Sequence, residues 1–227
     1  MKLKLVSKRQ EILDVTTFIF EPQEKIKWIA GQYLHWVLHH EPTDDRGSDR
    51  WFTISSAPFE KEIHITTRFN KERSSSFKNK LFSLEIGKSI ENSYLEGDFI
   101  VTDPNKKYIF LAGGIGITPF RSIIKQLDHD KLPINVDLLY ANHDQNIVFK
   151  KELEEISKRN PNFKITYIFS PEHIDENKIK QIVSFQNKII YVSGPELMVE
   201  DLIKMLKEIG IKEENIKGDW FPNYPKF

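Results

Sequence analysis

Phe110-Leu111-Ala112-Gly113-Gly114-Ile115-Gly116-Ile117-Thr118-Pro119-Phe120-Arg121-Ser122 decides the fold. A short apolar run, Tyr108–Ala112, stops at two glycines, and a third glycine follows at Gly116. Thr118 then reads as a helix N-cap and Pro119 as the first helical residue. Glycines admit positive φ and let a ligand come close to the backbone. The helix behind them aims free N–H groups and its positive dipole end at the same spot. Strand, glycine turn and helix start together suit an anion such as a dinucleotide pyrophosphate. The spacing is not G-x-G-x-x-G, so the ordinary dinucleotide fingerprint is not matched. A tight turn with no ligand is the other reading of the same residues.

Downstream the pattern repeats. Strands are expected at Tyr108–Ala112, Val136–Tyr140, Phe163–Phe169 and Lys188–Val192, with a short fifth at Asn215–Lys217. Helices are expected at Pro119–Leu127, Val148–Lys158, near Glu176–Val183 and at Glu196–Ile209. Apolar strands alternating with amphipathic helices predict right-handed βαβ units and a parallel sheet.

Upstream the chain reads differently. Lys2–Val6, Val15–Phe20, Gln32–Leu38, Trp51–Ser55, Glu62–Phe69 and Ser89–Leu95 are short, rich in β-branched and aromatic residues, and broken by Gly31, Pro42, Gly47, Pro58 and Gly97. Such strands predict an antiparallel barrel or sandwich. One helix interrupts them at Ser75–Leu84, where Phe77, Leu81 and Leu84 form an apolar stripe. The polar stretch Asp103–Lys107 marks the expected boundary. A β-barrel domain over residues 1–102 is thus followed by an α/β, Rossmann-like domain over 103–227.

Composition narrows the chemistry. The 227 residues carry 33 Lys plus Arg against 33 Asp plus Glu, a formal net charge of zero. No basic stripe of the kind that binds nucleic acid or anionic membrane is expected. There is no cysteine, which excludes disulfides, thiolate-bound iron–sulfur clusters and cysteine nucleophiles. Redox chemistry would need a bound organic cofactor. No apolar run reaches about 18 residues, so no membrane span is expected. The N-terminus turns polar too soon for a signal peptide, and a cytoplasmic protein is expected. No metal site is read.

With these elements in view, the sequence resembles the ferredoxin–NADP reductase superfamily. The superfamily's G-G-x-G-x-T-P turn is reproduced from Gly113 to Pro119. Its C-G-P turn after the fourth parallel strand appears as Ser193-Gly194-Pro195, followed by Glu196 and Met198. Its R-x-Y-[ST] barrel motif appears as Arg50-Trp51-Phe52-Thr53, and its C-terminal acidic-x-aromatic stretch as Asp219-Trp220-Phe221. The marks come in the family's order and span nearly the whole chain.

The resemblance implies a bound flavin, FAD ahead of FMN, and NADH or NADPH as co-substrate. Arg50, with its planar fork of donors, suits a flavin phosphate. Phe52 replaces a tyrosine that lies against the isoalloxazine ring; it can stack but has no hydroxyl for the ribityl chain. Thr53 matches the hydroxyl near flavin N5, and His64 or Thr66 on a neighbouring strand could touch the flavin. Ser74, Ser75 and Ser76 open the helix that faces the flavin pyrophosphate. Gly113, Gly114, Gly116, Thr118, Pro119, Gly194 and Pro195 fall on the nucleotide-binding turns. Ser193 replaces the cysteine beside nicotinamide C4, so hydride transfer is expected to survive at a lower rate.

Asn142 lies where the family tells NADH from NADPH. The segment Tyr140–Gln145 has no arginine, and Asp144 would repel a 2′-phosphate, so the reading leans to NADH. Phe221 is expected to cover the flavin, with Tyr224 and Phe227 as further candidates; stapling of the last strand is the other reading. The implied function is electron transfer from NAD(P)H through the flavin to a separate acceptor such as a ferredoxin, a flavodoxin, an oxygenase component or a small oxidant. A free-flavin reductase and a non-catalytic nucleotide-binding subunit are the alternatives.

Overall fold

The structure, a computed structural model, describes residues 1–182 and 188–221, except the side chains of Ser93, Ile182 and Phe221. The chain divides into two compact units, Met1–Ile100 and Val101–Phe227.

The first unit contains β1 (Lys2–Ile12), β2 (Val15–Pro22), β3 (Tyr33–Val37), β4 (Asp49–Thr53), β5 (Ile63–Arg68), α1 (Ser76–Ser83) and β6 (Ser89–Glu96). Its strands pair antiparallel in the order β4-β3-β6-β1-β2-β5. The chain just after β4 turns onto β5, where the Ser55 N–H donates to the His64 carbonyl at 2.9 Å. That contact draws the two ends of the sheet together into a barrel. Leu3 and Leu5, Phe18 and Phe20, and Leu34 and Trp36 point inward at alternate positions and are fully buried. Phe77 and Leu81 of α1 close on the same core.

The first strand, expected over Lys2–Val6, runs on through Ser-Lys-Arg-Gln-Glu to Ile12. Pairing with β2 continues to Ile12 opposite Val15, through two register shifts. The cross-strand ladder holds these polar residues in a strand that propensity alone would not give them.

The second unit contains β7 (Lys107–Gly113), α2 (Ile117–His129), β8 (Val136–Asn142), α3 (Lys150–Arg159), β9 (Phe163–Phe169), α4 (Glu176–Ile182), β10 (Lys188–Pro195), α5 (Glu196–Glu208) and β11 (Ile216–Phe221). The strands form a parallel sheet in the order β11-β10-β7-β8-β9. The central strand β7 is buried on both faces from Tyr108 to Ala112, as in a sheet covered by helices on each side. Strand order reverses at β7, whose neighbours are β8 and β10, and ligands of open α/β sheets bind at the carboxyl end of such a point. Val183, the expected end of the weak helix now seen as α4, lies outside the described residues. Among the described residues no helix is long and apolar enough to cross a membrane.

Candidate functional site

In the second unit β7 runs out into a short 3₁₀ turn, Gly114–Gly116, and α2 follows at once. Thr118 is not the N-cap. That position falls to Gly116, which offers no side chain, and the Thr118 hydroxyl donates back to the Ile115 carbonyl at 3.2 Å. The 3₁₀ turn has already started the coil, so helical geometry sets in before the threonine. Pro119 is tolerated at the third position of α2, where the residues of α2 itself offer its nitrogen no acceptor.

The three glycines serve different ends. A Cβ on Gly116 would lie 2.2 Å from the Ser193 carbonyl oxygen, and one on Gly113 would lie 2.3 Å from the Met198 sulfur. These two glycines let β7, the turn and the end of β10 pack together. Gly194 joins them, its Cβ position 3.3 Å from the Gly113 backbone. Gly114 differs: its φ is +51° and a Cβ there would meet nothing within 4 Å. Its carbonyl is pinned from behind by the buried Tyr140 hydroxyl at 3.1 Å.

Beside this turn, β10 ends at Ser193-Gly194-Pro195, with Pro195 the cap of α5. Ser193 is fully buried and pairs in register with Asp219 on β11. Its hydroxyl donates to Asp219 Oδ2 at 3.4 Å. Asp219 is the acidic residue of the acidic-x-aromatic stretch, and parallel register brings it to the serine. At the end of β8, the buried Asn142 Nδ2 has no hydrogen-bond partner among the described residues. Phe221 pairs with Pro195, whereas its side chain, Tyr224 and Phe227 lie outside the described residues.

In the first unit β4 carries Arg50 and Phe52 on one face and Trp51 on the other. Phe52 packs on the barrel core, its ring 5.8 Å from Phe77. Arg50 folds back onto the carbonyls of Arg46, Gly47 and Asp49 and sits over the Phe77 ring. Its Nη2 is buried with no partner among the described residues. Trp51 points away, 45% exposed, against Tyr33 and His35. The structure therefore does not bring Trp51 together with the other residues of its motif. Thr53 is buried at the end of β4.

His64 and Thr66 are both buried. The Thr66 hydroxyl is 2.8 Å from those of Thr17 and Ser55, a chain of hydroxyls inside the barrel. His64 Nε2 is 3.5 Å from Glu62 Oε2.

Each serine at the start of α1 has an internal partner. Ser74 Oγ accepts from the Asn70 N–H at 3.0 Å, and Ser75, the N-cap, accepts from the Lys78 N–H at 3.3 Å. Ser76 exchanges hydrogen bonds with Asp44. Burial and the charges of Arg50, Arg46 and Arg68 pull the Lys78 amine down to about 8. Burial would raise the Asp44 carboxyl, but the Ser76 N–H and Arg46 outweigh it and hold the group below its ordinary value. Arg46, Arg50, Arg68 and Lys78 thus surround the helix start with positive charge.

Residues 110–204 match the family described as "Oxidoreductase NAD-binding domain". The chain is 23% identical over 231 residues to a flavohemoprotein of Burkholderia sp. (strain TH2), a match covering 94% of this chain and 57% of that protein. The chain therefore spans a little over half the length of such curated relatives. Among solved structures it is similar to the flavohem-like FAD/NAD binding domain of nitric oxide dioxygenase from Vibrio cholerae O1 biovar El Tor, with a TM-score of 0.83, 19% identity, and 97% and 98% of the two chains covered. Ferredoxin-NADP+ reductase from Plasmodium falciparum gives a TM-score of 0.83 at 19% identity, covering 97% of this chain and 95% of that one. The barrel followed by the parallel sheet gives this chain the fold of these FAD/NAD-binding and ferredoxin-NADP+ reductase structures, and the glycine turn lies inside the segment that matches the oxidoreductase NAD-binding domain family.

Proposed function

We propose that this chain is an NAD(P)H-dependent flavoprotein oxidoreductase that passes electrons through FAD to a separate acceptor. The observation that carries the reading is Gly114, a left-handed residue with open space over its backbone at the carboxyl end of the central parallel strand, beside Ser193. A dinucleotide pyrophosphate fits that opening, supported by the start of α2. In the roles proposed, Gly113, Gly116 and Gly194 shape the turn, Thr118, Pro119 and Pro195 belong to the helix starts around it, and Ser193 meets the nicotinamide end. Asn142, with its buried and unpartnered Nδ2, is assigned to the adenosine end.

The first unit fits a flavin carrying phosphates. The unpartnered Arg50 Nη2 and the charges of Arg46, Arg68 and Lys78 favour a pyrophosphate, and Phe52 and Thr53 follow on the same strand. FAD is preferred to FMN because the cations extend from β4 to the serine-rich start of α1. A bound flavin supplies the hydride-accepting and single-electron chemistry. The protein's part is to hold, orient and exclude water.

Residues 1–102 are assigned to the flavin and 103–227 to the nucleotide. The similarity to a flavohemoprotein and to a ferredoxin-NADP+ reductase supports a haem protein or a ferredoxin as the acceptor. The proposed location is the cytoplasm; among the described residues no helix is long and apolar enough to cross a membrane. A second reading, in which flavin is a substrate taken up and released, is favoured by Asp44, whose carboxylate already holds the start of α1.

A visible spectrum of the pure protein before and after anaerobic NADH tests the proposal. Flavin absorbance that bleaches on addition supports it. A protein that stays colourless with added FAD and shows no diaphorase activity overturns it.

A further inference from the structure

Asp44 lies in the chain between β3 and β4, and Ser76 is the first residue of α1. The Ser76 N–H donates to Asp44 Oδ2 at 2.8 Å, and the Asp44 N–H donates to Ser76 Oγ at 3.0 Å. Arg46 grips the same Oδ2 with Nη2 at 2.9 Å and Nε at 3.2 Å. A carboxylate therefore already occupies the anion position at this helix start, and Arg46 is already paired with it. One N–H cannot serve two anions at full strength, and two anions sharing one position repel.

We propose that Asp44 is a built-in competitor for the flavin phosphates, displaced from Ser76 and Arg46 when a pyrophosphate takes their place. The inference rests on the reading above that a phosphate-bearing flavin binds the first unit. The exchange is local. The carboxylate gives up the Ser76 N–H, Arg46 transfers from carboxylate to phosphate, and Arg50 and Lys78 are already close by. While Asp44 is seated, the helix start is satisfied without ligand and the cations are partly neutralised. The exchange therefore lowers affinity for flavins with phosphates and leaves riboflavin, which has none, unaffected. It makes flavin release easier than the cation cluster alone would allow.

Titration calorimetry on the full chain, freed of any bound flavin, tests this with inorganic pyrophosphate, FAD and riboflavin. Asp44→Asn keeps the size and an acceptor oxygen but removes the charge; Asp44→Ala removes both. Pyrophosphate and FAD are expected to bind Asp44→Asn at least about tenfold more tightly than wild type, with riboflavin unchanged. Adding Arg46→Ala to Asp44→Asn should return FAD affinity toward wild type. Equal or weaker binding of pyrophosphate and FAD by a folded Asp44→Asn overturns the proposal, as does equal tightening of riboflavin. If wild type and variant bind neither flavin, yet pyrophosphate binds the variant more tightly, the flavin reading fails and the competitor role of Asp44 stands.

Discussion

Ser193 and Asp219 stand directly opposite each other on β10 and β11, and the serine hydroxyl donates to the aspartate carboxylate at 3.4 Å. The acceptor fixes which way the hydroxyl hydrogen points, so the oxygen lone pairs face away from Asp219. Asp219 acts through Ser193 and is a positioning residue in the proposed reaction. Asp219→Asn removes the charge-assisted partner and should slow anaerobic flavin reduction by about tenfold, with NADH affinity little changed. Ser193→Cys, with its more polarizable sulfur, should speed the same step. Stopped-flow absorbance separates rate from affinity, and rates unmoved by both changes would remove this position from the chemistry.

The glycine turn predicts a graded series of alanine variants. Gly116→Ala puts a methyl 2.2 Å from the Ser193 carbonyl, and backbone cannot step aside. It should lose on the order of 3 kcal/mol or more and denature at a visibly lower temperature. Gly113→Ala meets the flexible Met198 side chain and should lose about 1–2 kcal/mol. Gly114→Ala has free space but a left-handed φ of +51°, so it should fold with a strain of roughly 1–2 kcal/mol. Its main effect should be weaker NADH binding, because the methyl enters the opening. Thermal melts and NADH titrations on the three proteins would expose any other ranking.

This series also marks what the sequence could reveal. A strand, three glycines and a helix were legible because each leaves a local chemical signature. That two of the glycines pack against Ser193 and Met198 was not, since those partners lie about 80 residues further along. The six barrel strands were legible from β-branched and aromatic runs, but β1 outran its signal because β2 supplies the ladder. Arg50 and Phe52 share a face and Trp51 does not, which strand period alone could have shown. Asp44 carried no signal at all: 32 residues separate it from Ser76, and only the closed barrel brings them together. Asp219 was visible as a motif residue, while its contact with Ser193 came from parallel register.

Lys78 gives a pH dependence with a definite sign. Its amine is pulled from an ordinary 10.5 to about 8 by burial and by Arg50, Arg46 and Arg68. The unfolded chain keeps that proton to higher pH than the folded one, so this group makes stability rise with pH between about 8 and the ordinary lysine value. Anion binding runs the other way, because a phosphate favours the protonated amine. Affinity for inorganic pyrophosphate should be highest below about pH 8 and fall as pH rises through it, with proton uptake on binding. Lys78→Arg stays charged and should flatten the profile, while Lys78→Gln should show the weaker affinity at every pH. Calorimetry in two buffers of different ionisation heat reads both affinity and proton uptake, and a flat wild-type profile contradicts the assignment.

The end of β8 predicts the choice of pyridine nucleotide. After Asn142 come His143, Asp144 and Gln145, and no lysine or arginine occurs from Tyr140 to Val148. Asp144 Oδ1 accepts from the Asn146 N–H at 2.8 Å, which fixes the carboxylate in the turn. His143 Nδ1 is 3.3 Å from the Ser170 hydroxyl, so the ring is oriented by the neighbouring strand end. A carboxylate held there can accept from a ribose hydroxyl and repels a 2′-phosphate. NADH should therefore show a KM at least about tenfold below that of NADPH, since one close charge repulsion amounts to that much or more. Asp144→Asn should narrow the gap mainly by improving NADPH, because it removes repulsion and keeps an acceptor. Steady-state diaphorase kinetics with both nucleotides measure the ratio directly. A wild-type preference for NADPH would mean that phosphate-binding groups lie elsewhere and that Asp144 faces away from the ribose.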